Sequence, residues 1–406
     1  MGGGDKAAMT FGAVAGRIPR GIWALGLVSM LMDISSEMIH ALLPVYLVSV
    51  MGASMLAVGF IEGIAEATAA ITKVFSGALS DWLGRRKLLA ALGYGLAAFT
   101  KPVFPLAGTL GWVVAARFVD RIGKGIRGAP RDALIADLAP PELRGAAFGL
   151  RQSLDTAGGF IGPLLAIGLM GLTADNIPLV FWFAVIPAFA SFVVILLAVH
   201  DAPRPAEAVN PRMPLSRAEL ARLPAFYWGI VALSAVFTLA RFSEAFLVLR
   251  AQEVGVALVY VPAVLVVMNV VYFLSCYPIG VLADRCHRGT LLTLGLAVLV
   301  LADLALGVVD GLPGFVLGLV LWGLHMGMTQ GLLATLVADA APAELRGTAF
   351  GVFNLVGGVA LLAASVIAGG LWDVFGSRAT FMAGALCAAL ALLGAVPLLR
   401  RRPQAG

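Results

Sequence analysis

The sequence predicts an all-α membrane protein of twelve transmembrane helices in two pseudo-symmetric six-helix bundles. Three observations carry that fold class. The 406 residues are 60% hydrophobic and only 13% charged, with a mean hydropathy of +0.97, which is too apolar for a soluble domain around one core. Apolar runs of membrane-crossing length recur along the whole chain. The second half also repeats short phrases of the first.

A helix needs roughly 20 apolar residues to cross a hydrocarbon core of about 30 Å. Runs of that kind place spans at 21–50, 54–79, 88–109, 111–138, 144–171 and 177–199. Six more follow at 224–249, 257–283, 289–309, 312–338, 345–371 and 378–399. The expected organisation is therefore a cytoplasmic N-terminal segment (1–20), a six-helix bundle (21–199), a cytoplasmic linker (200–223), a second bundle (224–399) and a cytoplasmic tail (400–406). The linker, HDAPRPAEAVNPRMPLSRAELARLP with its flanks, is rich in proline and charge, as a connector between bundles should be. The N-terminal residues lack a compact apolar core ending in a cleavage site, so no removable signal peptide is expected.

Orientation follows from the cations in short loops, which are retained on the cytoplasmic side. Arg17, Arg20, Arg85, Arg86, Lys87, Arg144, Arg285, Arg288, Arg346 and the Arg400–Arg402 run fall on one side, against little more than Arg250 and Arg378 on the other. Both termini are expected in the cytoplasm. The net charge of +5 is then a consequence of topology, and nucleic-acid binding is not expected. The lipid bilayer is the one partner the composition requires, and a monomer is the default. Cys276, Cys286 and Cys387 stand on no disulfide or metal-ligand spacing.

The internal repeat is specific. GALSDWLGRRK (77–87) has a counterpart in GVLADRCHRG (280–289), and ALIADLAPPELRGAAFG has one in ATLVADAAPAELRGTAFG. Asp81 precedes Asp284 by 203 residues and Glu142 precedes Glu344 by 202. Parallel six-helix repeats that meet face to face are a transporter architecture. Each copy of the charged phrase falls between the second and third span of its half, where an Asp at a helix end can hold cations or a neighbouring helix N-terminus.

The first copy, with Gly77, Asp81, Gly84, Arg85 and Arg86, resembles the signature loop of the major facilitator superfamily. Gly280, Asp284, Arg285 and Arg288 resemble its degenerate second form. The resemblance implies the major facilitator fold, alternating access and a cytoplasmic gating role for these nine residues. It also implies that spans 1, 4, 7 and 10 line a central cavity.

Ionisable side chains inside a membrane cost about 2.5–3.5 kcal/mol each on insertion scales, so they mark partners or watery cavities. Span 1 carries Asp33, Glu37 and His40, and span 2 carries Glu62, Glu66 and Lys73. Span 4, ARFVDRIGKGIRGAPRD, sets Arg117, Asp120, Arg121, Lys124, Arg127 and Arg131 at three- and four-residue steps, a basic stripe down one face. Span 5 adds Arg151 and Asp155. The second half is sparser, with Arg241, Glu244, Asn269, His325, Thr329, Gln330 and Asn354. The expected cavity set is Asp33, Glu37, His40, Glu62, Glu66, Arg117, Asp120, Arg121, Lys124, Arg241, Glu244, Asn269 and His325. The carboxylates could relay protons, or the charges could neutralise one another as internal ion pairs that hold helices together; both readings stand at this stage.

Span 4 also resembles the superfamily's arginine-glycine motif, with the motif Arg at Arg117 or Arg121 and with Asp120 or Lys124 where Gln is usual. Span 5 resembles the glycine-proline motif of drug and proton antiporters at Gly158, Gly162 and Pro163, while Ala166 and Ile167 stand where that motif has a glycine pair. A plain helix-packing role would account for the same glycines.

No nucleotide-binding loop, zinc spacing or nucleophile elbow is present, so no enzyme activity and no cofactor are expected, and energy should come from a proton gradient. The expected function is proton-coupled export of a small molecule. Export of a divalent metal through Asp33, Glu37 and His40, uptake of an anionic metabolite on the basic face of span 4, and a non-transporting sensor are the alternatives.

Overall fold

The computed structural model describes residues 17–83, 85–140, 143–201, 220–285, 288–342 and 345–400. The described residues form helices joined by short turns, with no strand among them. The first half contains α1 (Arg20–His40), α2 (Met55–Leu83), α3 (Arg86–Thr100), α4 (Leu110–Leu138), α5 (Arg144–Leu172) and α6 (Ile177–Ala198). The second contains α7 in two pieces (Ala225–Ala240 and Ala245–Glu253), α8 (Ala263–Arg285), α9 (Arg288–Val308), α10 (Gly311–Ala340), α11 (Arg346–Phe375) and α12 (Ser377–Arg400).

Eleven spans among the described residues are long and apolar enough to cross a membrane. The helix outside that set is α4, 29 residues long, whose charges depress its hydropathy although Arg117, Asp120, Arg121 and Arg127 are all buried. A helix of that length extends about 43 Å and crosses the bilayer as well as its neighbours do. Its charged face is held by protein.

Four predicted spans are interrupted; span 8 opens as a 3-10 turn at Leu258–Tyr260 and becomes α-helical at Ala263, after Pro262. Span 1 ends as a helix at His40 and continues through a turn, Leu43–Val45 and a π-turn at Tyr46–Val50, with Pro44 opening the new turn. Span 3 stops at Thr100, before Pro102, and resumes as Val103–Leu106. Span 7 leaves the helix at Arg241–Glu244 without any Gly or Pro. There the Ser243 N–H donates to Ser365 Oγ at 3.2 Å, while Ser243 Oγ accepts from the Ala245 N–H at 3.2 Å, so side chains satisfy backbone groups the helix gave up.

In lipid the hydrophobic effect does not drive helix against helix, so close packing relies on small residues. The two halves meet chiefly where α2 lies along α11. A Cβ at Gly59 has no room beside the Ser365 carbonyl, one at Gly369 has none beside the Met55 carbonyl, and one at Gly63 would lie 2.9 Å from Leu362 Cα. This seam occupies the end of the molecule remote from Arg20 and Arg400, where the first helix starts and the last one ends, here the far end. There the Asp373 carboxylate of α11 accepts the Met55 and Leu56 N–H groups at 2.9 Å each, capping the start of α2 across the boundary between halves.

Candidate functional site

Between the halves lies a cavity of about 760 Å³. The first half contributes Asp33, Glu37 and His40 from α1, Glu62, Glu66 and Lys73 from α2, Arg121, Lys124, Arg127 and Arg131 from α4, and Arg151 and Asp155 from α5. The second contributes Thr238, Arg241, Phe242, Ser243 and Glu244 around the break in α7, Asn269 and Tyr272 from α8, and Asn354 from α11. The α2–α11 seam closes the far end.

The charges of the first half form pairs between neighbouring helices. Arg117 Nη2 donates to Glu62 Oε2 at 2.6 Å, and one helical turn along Arg121 Nη1 donates to Glu66 Oε1 at 3.0 Å. Both pairs join α4 to α2 because Glu62–Glu66 and Arg117–Arg121 share the same four-residue step. Behind them Lys101 Nζ donates to Asp120 Oδ1 at 2.9 Å and to Ser36 Oγ at 3.1 Å. His40 lies between Glu37 (3.5 Å) and Glu62 (3.7 Å). Toward the terminal end, Arg151 is paired with Asp155, and Arg131 donates to Ser29 Oγ at 2.9 Å and pairs with Asp132 at 3.2 Å. Arg127 stacks over the Tyr94 ring at 4.8 Å.

Four cavity groups are uncommitted. The side chains of Asp33, Glu244, Lys73 and Lys124 make no hydrogen bond or ion pair within 4.0 Å among the described residues. Asp33 feels Asp155, Arg127, Arg131 and Glu37 electrostatically, while Glu244 feels His40 and Arg241.

Gly158 and Gly162 set where the α1 carboxylates stand. A Cβ at Gly158 would lie 3.0 Å from Asp33 Cβ, and one at Gly162 would lie 2.8 Å from Glu37 Cβ. The glycine face thus seats α5 directly on the acidic face of α1. Pro163 lies within α5 without ending it.

Three expected cavity residues lie elsewhere. Arg117 and Asp120 are buried behind the wall, because their partners Glu62 and Lys101 draw them toward α2 and α3. His325 is 0% exposed; its Nδ1 is 2.7 Å from the Trp322 carbonyl, and the Phe237 and Trp322 rings pack around it. An aromatic box and an i−3 carbonyl hold this histidine inside the second half. Of the span 4 stripe, Arg121, Lys124, Arg127 and Arg131 line the cavity, while Arg117 and Asp120 turn to Glu62 and Lys101.

At the first charged loop, Arg86 donates to the Ala133 carbonyl at 2.9 Å and pairs with Asp137, tying α3 to α4 within one half. Arg85 is exposed at the start of α3, and Gly77 packs on Ala129. Gly84 lies outside the described residues, as do the side chains of Asp81, Asp284, Arg285 and Arg288 and the surroundings of Gly280. The side chain of Gln330 is outside them too.

Sequence reasoning passed over Lys101, Asp303 and Asp373. Each was visible as a lone ionisable residue in or beside an apolar run. Asp303 is 0% exposed with both carboxylate oxygens unpartnered among the described residues. Within that set no group of three or more His, Cys, Asp and Glu residues is arranged to hold a metal ion.

The profile of the Major Facilitator Superfamily matches residues 25–365. An uncharacterised MFS-type transporter of Methanocaldococcus jannaschii is 32% identical over 379 residues, 91% of this chain and 93% of that protein. The inner membrane transport protein YajR of Escherichia coli is 25% identical over 389 residues, 91% of this chain and 81% of its own. Among solved structures, a bacterial homologue of the human lysosomal transporter Spinster, in an inward-facing and occupied conformation, superposes with a TM-score of 0.74 at 16% identity, covering 93% of this chain and 96% of that one.

Proposed function

Because this chain belongs to the major facilitator superfamily and is a multi-pass secondary transporter working by alternating access, we propose that it couples proton movement to export of a small molecule through the cavity between its halves. The observation that carries the reading is Asp33: a carboxylate on the cavity wall, outside every ion pair of its neighbourhood, within electrostatic range of Asp155 and of two arginines. A group already locked in a pair, such as Glu62, must break that pair before it can exchange a proton. Asp33 need not. Glu37, loosely held by His40, is the second carrier in this scheme.

The positive-inside distribution of cations supports a cytoplasmic terminal end. The cavity then faces the cytoplasm here, with the α2–α11 seam as the closed outer gate. Export is supported by the antiporter-like glycine-proline face of α5, which seats the two α1 carboxylates. The test uses vesicles of reconstituted protein with an imposed pH gradient, screened with organic cations, organic anions and divalent metals while internal proton concentration is followed. Asp33→Asn and Glu37→Gln are expected to fold normally and to lose compound-driven proton flow. Undiminished flow in both variants would remove the coupling assignment.

A further inference from the structure

We infer that the cavity holds a small organic anion, gripped through a carboxylate or phosphate by Lys73 of α2 and Lys124 of α4. The inference rests on the transport reading and adds the substrate class to it. Of the first-half cations on the wall, Arg121 is taken by Glu66 and Asp120, Arg131 and Arg151 by Asp132 and Asp155, and Arg127 by the Tyr94 ring. Lys73 and Lys124 remain, open to the cavity and without an ion pair within 4.0 Å among the described residues.

The two lysines come from adjoining stretches of the α2–α4 contact and line the same cavity. Gly125 packs against Thr72, and the Lys73 stem runs across Gly128, its Cδ and Cε 3.7 Å from where a Cβ would stand. Lys124 is one turn from Gly128 on α4, so cations from two helices converge on one part of the wall. Glu66 offsets part of the Lys124 charge, and neither lysine has an ion pair within 4.0 Å among the described residues. Glu37 and Glu66 act on Lys124 from beyond pairing distance, and Asp33 answers to Arg127 and Arg131. From the second half, Asn269, Tyr272 and Asn354 offer uncharged polar groups to the remainder of the ligand.

Alternating access turns this into selectivity. While the cavity is open, water solvates both ammonium groups; closure strips that water, and an unpaired charge out of water is strongly disfavoured. An anion bridging Lys73 and Lys124 supplies the missing partner. Closure is thereby tied to occupancy by the right charge.

The test uses the full chain in detergent with no gradient, so it reads binding and is independent of coupling. Pyridoxal 5′-phosphate, an anionic aldehyde, forms an imine with a lysine amine and releases water; borohydride fixes the adduct and peptide mass spectrometry locates it. Neutral pyridoxal is the control. Lys73 and Lys124 should be tagged about tenfold faster by the phosphate, the value of one charge-assisted contact. Inorganic phosphate or succinate should protect both positions. Protection by phosphate alone assigns a phosphate group, protection by succinate alone a carboxylate, and either supports the site. Lys73→Gln should abolish protection at Lys124, while Lys73→Arg, which keeps the charge, should retain it. Equal tagging by both aldehydes, absence of protection by either anion, or no tag on either lysine would overturn the inference. Anion-selective tagging together with failed proton flow would instead sink the coupling scheme and leave the binding site standing.

Discussion

In the first half of the molecule Arg117 meets Glu62, Arg121 meets Glu66 and Lys101 meets Asp120, each from a neighbouring helix. In the second half Asp303 has neither carboxylate oxygen partnered among the described residues, and His325 has only a backbone carbonyl at one ring nitrogen. The halves repeat each other in their loops yet differ in how they carry buried polarity. Pairing across helices makes charge a structural fastener, and once most charges are fastened, those left over are the ones available to a proton or a ligand. The second half, with little charge to fasten, supplies instead a break in α7 and a neutral polar wall.

The largest effect expected from this contrast is on stability. Glu62→Gln leaves Arg117 buried and unpaired and should cost about 3–5 kcal/mol, read as a lowered unfolding midpoint in detergent. Replacing Glu62 and Arg117 together by Met should recover most of that loss. If the single change is harmless, the pairs are ornaments and the contrast fails.

The joint between halves comes next. Asp373→Ala removes a charged acceptor from two backbone N–H groups of α2, a loss of about 1.5–3 kcal/mol for hydrogen bonds to a charged group. Part of it should appear as easier opening of the far end, measured as faster modification of a cysteine placed at Gly370. Unchanged modification would mean that the glycine seam alone keeps that end shut.

The smallest effect is expected at Asp303. A fully buried carboxyl with no partner is held uncharged, and Asn keeps its shape and neutrality, so Asp303→Asn should change stability by less than about 1 kcal/mol. A loss as large as that of Glu62→Gln would reveal a partner and make the two halves alike.

Much of the fold was legible because a membrane demands long apolar runs, and the duplicated charged loops mark where the halves correspond. The breaks at Pro44 and Pro102 had visible causes. The break at Arg241–Glu244 did not, since it is stabilised by Ser365, which lies 122 residues further along the chain. The site was half legible for the same reason. A charge in an apolar run announces itself, so Asp33, Glu37, Glu66, Lys124 and Glu244 could be picked out by type. Which of them faces a partner depends on the register between helices, which no single helix encodes. Arg117 and Asp120 were therefore placed on the cavity when Glu62 and Lys101 hold them behind it, and His325 was placed there on helix position alone.

The central claim is that two halves enclose a hydrated pocket in which the unpaired charges stand. Gly159 lines that pocket with nothing within 4 Å of where its Cβ would lie, while Leu164, five residues further along α5 and so turned well away from it, is 53% exposed outside it. In a chain with Cys276, Cys286 and Cys387 replaced by Ser, Gly159→Cys should react readily with a charged, membrane-impermeant maleimide added on the terminal side, and Leu164→Cys, facing lipid, should not. If Gly159→Cys resists the reagent as fully as Leu164→Cys, the pocket is dry and the account is wrong.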